Sequence, residues 1–338
     1  LDDDIQFYVQ QQVQQARDAS GARNVSAVVL DAKSGEVLAM ANDNTFDPSQ
    51  DIGRQSDRQI GNLPVTSPFE PGSVNKIVTA AAAIEYDLTT PDEVLSVPGS
   101  IGMGGVNVKD AWGHGVLALT TTGVFGKSSN VGTLMLAQRV GPERFYDLLG
   151  KFGLGQRTGV GLPGESAGIV PPIDQWSGST FSNLPIGQGL SMTLLQMTGM
   201  YQAIANDGVR IPPRVVKAVI KPDGTRIEEQ RPDGIQVVNQ GTARVLRNMF
   251  RAVVQRDPMG AQQGTAPAAA ALDIAPDGSD SLGRSRKHRA IAARTFPTAP
   301  SIRRNVPKLP PFPASSLRPP SPSGPPPPSP VPLPRRMS

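Results

Sequence analysis

The 338-residue sequence predicts an α+β chain, an antiparallel sheet flanked by helices, followed by a tail that does not pack. Three observations point there. Two pairs of short runs, the first pair apolar, flank glycine-containing turns, which is the pattern of a β-hairpin. Several longer segments repeat apolar residues at the helical period. After about residue 263 both patterns stop and the composition turns to Ala, Arg, Pro, Ser and Gly.

Taken in order, residues 5–19 place Ile5, Val9, Val13 and Ala16 at helical spacing. Residues 25–30 (VSAVVL) and 36–41 (EVLAMA) surround Asp31-Ala32-Lys33-Ser34-Gly35 and read as the first hairpin. Residues 42–72 are rich in Asp, Asn, Gly and Pro and read as loop. A helix opens near Pro71-Gly72-Ser73 and runs through four consecutive alanines to about Tyr86. Residues 87–113 read as irregular. Helices follow over about 116–125, 130–140 and 142–152. A glycine- and proline-rich stretch covers 153–179, and a long helix follows Ser191. Pro222-Asp223-Gly224 turns a second hairpin, and 242–255 reads as an amphipathic helix through Val245, Leu246, Met249, Phe250 and Val253.

Composition removes whole classes of chemistry. There is no cysteine, which excludes disulfides, thiolate metal sites and thiol nucleophiles. Two histidines, His114 and His288, leave little for a Ser-His-Asp triad or a histidine metal site, and no cofactor or metal is expected. The net charge of +4 hides two unlike parts. No acid follows Asp280, so residues 1–280 hold 22 basic against 29 acidic side chains while the remainder holds 11 basic ones. A body with that balance lacks the basic face that nucleic acid requires. Leu1 followed by three aspartates is no signal peptide, no run reaches the roughly 20 apolar residues of a membrane span, and the expectation is an excerpt without its natural N-terminus.

Two short clusters carry chemistry. In Glu70-Pro71-Gly72-Ser73-Val74-Asn75-Lys76, a serine and a lysine three apart share one face of a helix. A desolvated lysine of lowered pKa can take the proton of a serine hydroxyl. Standing alone the pair reads equally as a helix cap beside a solvated lysine. Ser128-Ser129-Asn130, beginning 55 residues after Ser73, is by itself most simply a helix cap. Ser-x-x-Lys followed by Ser-x-Asn reverses that reading, because together they open the signature of penicillin-recognising acyltransferases.

The chain resembles the transpeptidase domain of class B penicillin-binding proteins, of the septal cell-division type. The resemblance runs over about residues 1–263 and includes VSAVVLDAKSGEVLAMA at 25–41, Phe46-Asp47-Pro48, FEPGSVNK at 69–76, SSNVG at 128–132, FGLG at 152–155, LPGE at 162–165 and IGQGLSMTLLQM at 186–197. It implies the fold shared with serine β-lactamases, a five-stranded antiparallel sheet between helices, of which this chain would supply the first two strands. It implies Ser73 as acylated nucleophile, Lys76 as its base, Ser128 as proton relay and Asn130 as the group holding the stem-peptide amide. Peptidoglycan stem peptides and β-lactams are the implied ligands. In the family a glycosyltransferase and division proteins are partners. The family works at the extracytoplasmic face of the cell membrane, held by an N-terminal anchor absent from this chain.

The family's third motif, Lys-Thr/Ser-Gly, is missing where it belongs. After residue 255 the only lysines are Lys287, before His288, and Lys308, before Leu309. Lys33-Ser34-Gly35 lies in the first hairpin's turn and is a decoy. The expectation is a transpeptidase domain over 1–263 that lacks its last strands and is itself inactive, and a disordered basic tail over 264–338. Out-of-frame translation and a genuine proline-rich tail compete for that tail, and its composition favours the first. A serine β-lactamase or D,D-carboxypeptidase, and a non-catalytic truncated product, are the other readings. His114 reads as a loop residue at the cleft rim, Trp112 and Trp176 as packing, and Glu165 as part of a family loop rather than a deacylating glutamate.

Overall fold

A computed structural model describes residues 1–56 and 58–253; the expected boundary at 263 and the tail lie outside the described residues. Helix α1 spans Asp3–Ser20. Asp2 caps it by accepting from the Ile5 amide at 3.1 Å, and Gly21 ends it in the left-handed region at φ 65°. Strands β1 (Ser26–Leu30) and β2 (Val37–Asn42) form the first hairpin, antiparallel, with Ala27 opposite Ala41 and an irregularity at Val29/Leu30. β2 alternates strictly, burying Val37, Ala39 and Ala41.

Glutamines of α1 close the outer edge of β2. Gln6 exchanges hydrogen bonds with Met40, its Nε2 donating to the carbonyl at 3.1 Å and its Oε1 accepting from the amide at 2.9 Å. Gln10 donates to Asn42 O and Gln14 accepts from Asn44 N. Four residues of helix advance about 6 Å and two of strand about 6.6 Å, so every fourth helical side chain meets every second strand residue. Backbone groups that would otherwise template another strand are thereby satisfied.

After the short helix α2 (Leu63–Thr66) comes α3 (Lys76–Glu85), in which every residue from Lys76 to Ile84 is buried. A helix apolar all round belongs in a core, and its four alanines let neighbours approach closely. It packs against three later helices, α5 (Asn130–Val140), α6 (Pro142–Lys151) and α9 (Gln240–Arg251). Around it Phe145, Leu148, Leu149, Phe152, Leu136 and Met200 complete the main cluster. A smaller cluster of Leu30, Val37, Val65, Val160 and Leu195 lies under the hairpin.

Residues 87–113 are not irregular, and no helix starts at 116. Strand β3 (Val94–Val97) pairs with β6 (Leu117–Thr120), and β4 (Ser100–Met103) forms a hairpin with β5 (Val106–Lys109). Gly104 and Gly105, both at positive φ, make its two-residue turn. Leu117-Ala118-Leu119 favours helix locally, but cross-strand pairing with β3 decides its state. Only α4 (Thr121–Gly126) is helical there, capped by Thr120 Oγ1.

Farther on, α7 (Thr180–Asn183) precedes α8 (Leu194–Ala205), which opens on a reciprocal Thr193/Gln196 capping box. Strand β7 (Val209–Arg210) pairs with β10 (Ile235–Gln236), and β8 (Ala218–Ile220) with β9 (Arg226–Glu228) around the expected Pro-Asp-Gly turn.

Candidate active site

The turn that carries Ser73 is built before the helix begins. Gly72–Asn75 forms a 3-10 turn, and α3 starts only at Lys76, whose amide donates to Ser73 O. In a 3-10 turn residues i and i+3 eclipse, so Ser73 and Lys76 lie over one another more directly than α-geometry gives. Ser73 is exposed, whereas Lys76 is 2% exposed.

Residues 184–192 brace this turn from one side. Gly72 N donates to Gly187 O at 3.0 Å, Glu70 Oε1 accepts from Gly189 N at 3.0 Å, and Asn75 Nδ2 donates to Leu184 O at 3.0 Å. Phe69 and Met192 exchange backbone hydrogen bonds. Gly187 sits at φ 86°, and a methyl group there would lie 1.8 Å from Gly72 O. Only glycine permits that approach. From α8, the Tyr201 hydroxyl donates to Val74 O at 3.1 Å.

Lys76 reaches across to the turn between α4 and α5. Its Nζ donates to Ser128 O at 2.6 Å, Ser128 Oγ at 3.0 Å and Asn130 Oδ1 at 2.8 Å. An ammonium has three donors, and all three are used. Ser128 is a non-glycine residue at φ 55°, a conformation costing on the order of 1–3 kcal/mol, and from it offers both carbonyl and hydroxyl to one amine. Asn130 Nδ2 donates to Lys109 O at 3.0 Å, which fixes the orientation of its amide. Burial lowers the Lys76 pKa to about 8, with the negative charge of Asp110 opposing part of the fall.

The structure thus brings together Lys76, Ser128 and Asn130 and places Ser73 one turn before Lys76. Among the described residues the Ser73 hydroxyl has no hydrogen-bond partner. The arrangement offers an exposed hydroxyl, a buried amine whose pKa is lowered to about 8, and a second hydroxyl on that amine. Among the described residues no group of three or more His, Asp or Glu could hold a metal ion. A cavity of about 490 Å³ lies elsewhere, beside the first hairpin's turn, and contains none of these residues; its Glu36 pairs with Arg214 and Lys217.

Lys33-Ser34-Gly35 lies in the β1–β2 turn, with Ser34 N donating to Asp31 Oδ1 and Lys33 paired with Asp207. Glu165 accepts from the Thr158 amide and hydroxyl. Trp176 stacks on Phe181 and meets Tyr146 edge-on, which is packing. His114 is in a loop, but its side chain is 6% exposed and lies 3.0 Å from Asp110. Sequence reasoning gave no role to Asp110, Glu70 or Tyr201; apart from His114 beside Asp110, their partners are distant in the chain.

Residues 25–275 match the family of the penicillin binding protein transpeptidase domain. The chain is 79% identical over 270 residues to penicillin-binding protein PbpB of Mycolicibacterium smegmatis, covering 80% of this chain and 42% of that protein. It is 35% identical over 275 residues to the probable peptidoglycan D,D-transpeptidase PenA of Neisseria meningitidis, covering 81% and 44%. Among solved structures, penicillin binding protein 3 of Mycobacterium tuberculosis complexed with ampicillin superposes with a TM-score of 0.78 at 79% identity, over 79% of this chain and 59% of that one. The chain therefore spans less than half the length of these two relatives.

Proposed function

The chain belongs to the penicillin-binding protein transpeptidase family, and we propose that it carries the acyl-serine site of a D,D-transpeptidase that cross-links peptidoglycan stem peptides during septal cell-wall synthesis. The observation that carries this reading is the buried Lys76 amine, held by Ser128 and Asn130 and set three residues after an exposed serine.

In this reading the Ser73 oxygen bonds to the carbonyl carbon of the penultimate D-alanine while its proton passes to the neutral Lys76 amine. The Ser73 amide is one donor to the developing oxyanion. The peptide C–N bond then breaks, and terminal D-alanine leaves with a proton delivered through Ser128. An amine of a neighbouring stem peptide attacks the ester, gives up its proton to the same base, and frees the Ser73 hydroxyl. Asn130 holds the amide of the bound peptide. A β-lactam enters the first half of this sequence and stays, as the ampicillin complex of the M. tuberculosis relative suggests. The place of work is the outer face of the cell membrane, beside a glycosyltransferase and division proteins as in the family. No helix among the described residues is long and apolar enough to cross a membrane.

The third family motif has no match after residue 255. That motif binds the donor carboxylate, and neighbouring backbone completes the oxyanion hole; one such donor is worth about 10²–10³ in rate. We therefore expect this chain to be acylated at Ser73 by a penicillin yet to cross-link peptides poorly. The test is transfer from a D-alanyl thioester donor to a D-amino acid acceptor. It compares this chain with a chimera whose residues after Gln263 come from M. smegmatis PbpB. Faster transfer by the chimera supports the reading, and equal rates contradict it. Hydrolysis without transfer in both would favour a carboxypeptidase.

A further inference from the structure

Asp110 is used by no step of that mechanism, yet it is the most heavily engaged group beside the site. It follows β5, and its carboxylate is wholly buried. Oδ2 accepts from Ser129 Oγ at 2.7 Å, and Oδ1 accepts from Val131 N at 3.0 Å. These two donors alternate along the chain with Ser128 and Asn130, whose oxygens receive Lys76. Ser129 Oγ in turn accepts from Gly132 N at 2.9 Å, so the same hydroxyl that caps α5 is tied to the carboxylate. His114 shields Asp110 from solvent. Its Nε2 lies 3.0 Å from Oδ2, its Nδ1 lies 2.6 Å from Gly115 O, and its ring stacks against Trp112. A neutral imidazole has one N–H and can satisfy only one of those two acceptors.

We propose that Asp110 is a positioning residue for acyl transfer, clamping the turn that presents Ser128 and Asn130 to Lys76 and supplying the negative charge against which the Lys76 ammonium rests. Among the described residues, Lys76 and His114 are the charged or titratable groups shown to interact with it. α3 contributes Lys76, the β5–β6 connection contributes His114 and adjoins Lys109, and Lys127 precedes the turn; α5 offers Asp110 only the Val131 amide and the Ser129 cap. The direction of the coupling follows from the charges. Asp110 favours the protonated amine, so its removal makes Lys76 release its proton at lower pH, in keeping with the opposing contribution noted above.

The inference rests on Lys76 acting as the base for Ser73, and its test reads the lysine directly. The full chain is labelled with ¹³C and ¹⁵N at lysine side chains, the Lys76 signal is identified by its loss in Lys76→Met, and the chain is titrated by NMR. The midpoint, about 8 with Asp110 in place, should fall in Asp110→Asn and return in Asp110→Glu, which keeps the charge. An unmoved midpoint in a folded Asp110→Asn overturns the charge role. Ser129→Ala, which removes one of the carboxylate's two ties to the turn and leaves the Val131 amide as the other, should slow acylation by a fluorescent penicillin at every pH and leave the midpoint in place. An unchanged rate overturns the clamp, and this variant tests the proposal even where Asp110→Asn does not fold. A chain whose lysine titrates as expected but is never acylated would sink the functional reading instead.

Discussion

Lowering the pH from 8 to 6 should slow acylation of Ser73 by about fifty-fold, because the base must be neutral to act. Lys76 has lost its solvent and ionises near 8 rather than 10.5. With that value the amine is neutral in about half of the molecules at pH 8, about a tenth at pH 7 and about a hundredth at pH 6. A solvated lysine would be neutral in roughly one molecule in 3,000 at pH 7, so burial supplies about 300 times more working base there. The measurement is the second-order rate of labelling by a fluorescent penicillin across pH 6–9, quenched at timed intervals, with Lys76→Met as the reference. A rate flat between pH 6 and 8 would refute the argument. So would a profile that rises only above pH 9, which would mean that Lys76 keeps its water.

Three further outcomes follow from the same geometry. Lys76 has a folded pKa below its unfolded one, so between pH 8 and 10.5 the unfolded chain binds more protons and stability rises with pH. The stability of the parent chain relative to Lys76→Met should therefore rise by about 2–3 kcal/mol over that window in urea titrations, and a constant difference would contradict it. Gly187→Ala puts a methyl group 1.8 Å from Gly72 O and should slow acylation at least about tenfold, whereas Gly189→Ala, with nothing closer than 3.8 Å, should cost stability but spare the rate; equal rates in the two would show that the Gly187 contact does not place Ser73. Phe145→Ala empties a fully buried site against Phe181 and should cost about 3–5 kcal/mol, a fall of roughly 10 °C in Tm, while a Tm within 2 °C would place Phe145 outside the core.

What could be read in advance was what is local. The first hairpin shows itself because β2 alternates and Asp31–Gly35 is turn-forming, and α5, α6, α8 and α9 show themselves through period and caps. Strands β3 to β5 escaped because each is four residues long, too short for a period, and because Gly99, Gly102, Gly104 and Gly105 punctuate them like loop, while β6 reads locally as helix. The role of the glutamines of α1 carries no mark in the sequence, since nothing in a helix pattern reveals a strand edge beside it. At the site, Ser73, Lys76, Ser128 and Asn130 were legible as two short motifs. Asp110 was not, because the partners that tie it to the site, Ser129 and Val131, stand 19 and 21 residues away, and His114 four residues on points to no chemistry by itself. Nor was Gly187, whose need for glycine arises from a backbone more than a hundred residues distant.

The central claim is that Ser73 is the residue acylated, and peptide mapping tests it directly. The chain is incubated with ampicillin, digested, and read by mass spectrometry for the residue that carries the penicilloyl group. The account predicts one adduct, on the peptide containing Ser73, absent from Ser73→Ala. An adduct on Ser128, or one that persists in Ser73→Ala, would contradict it.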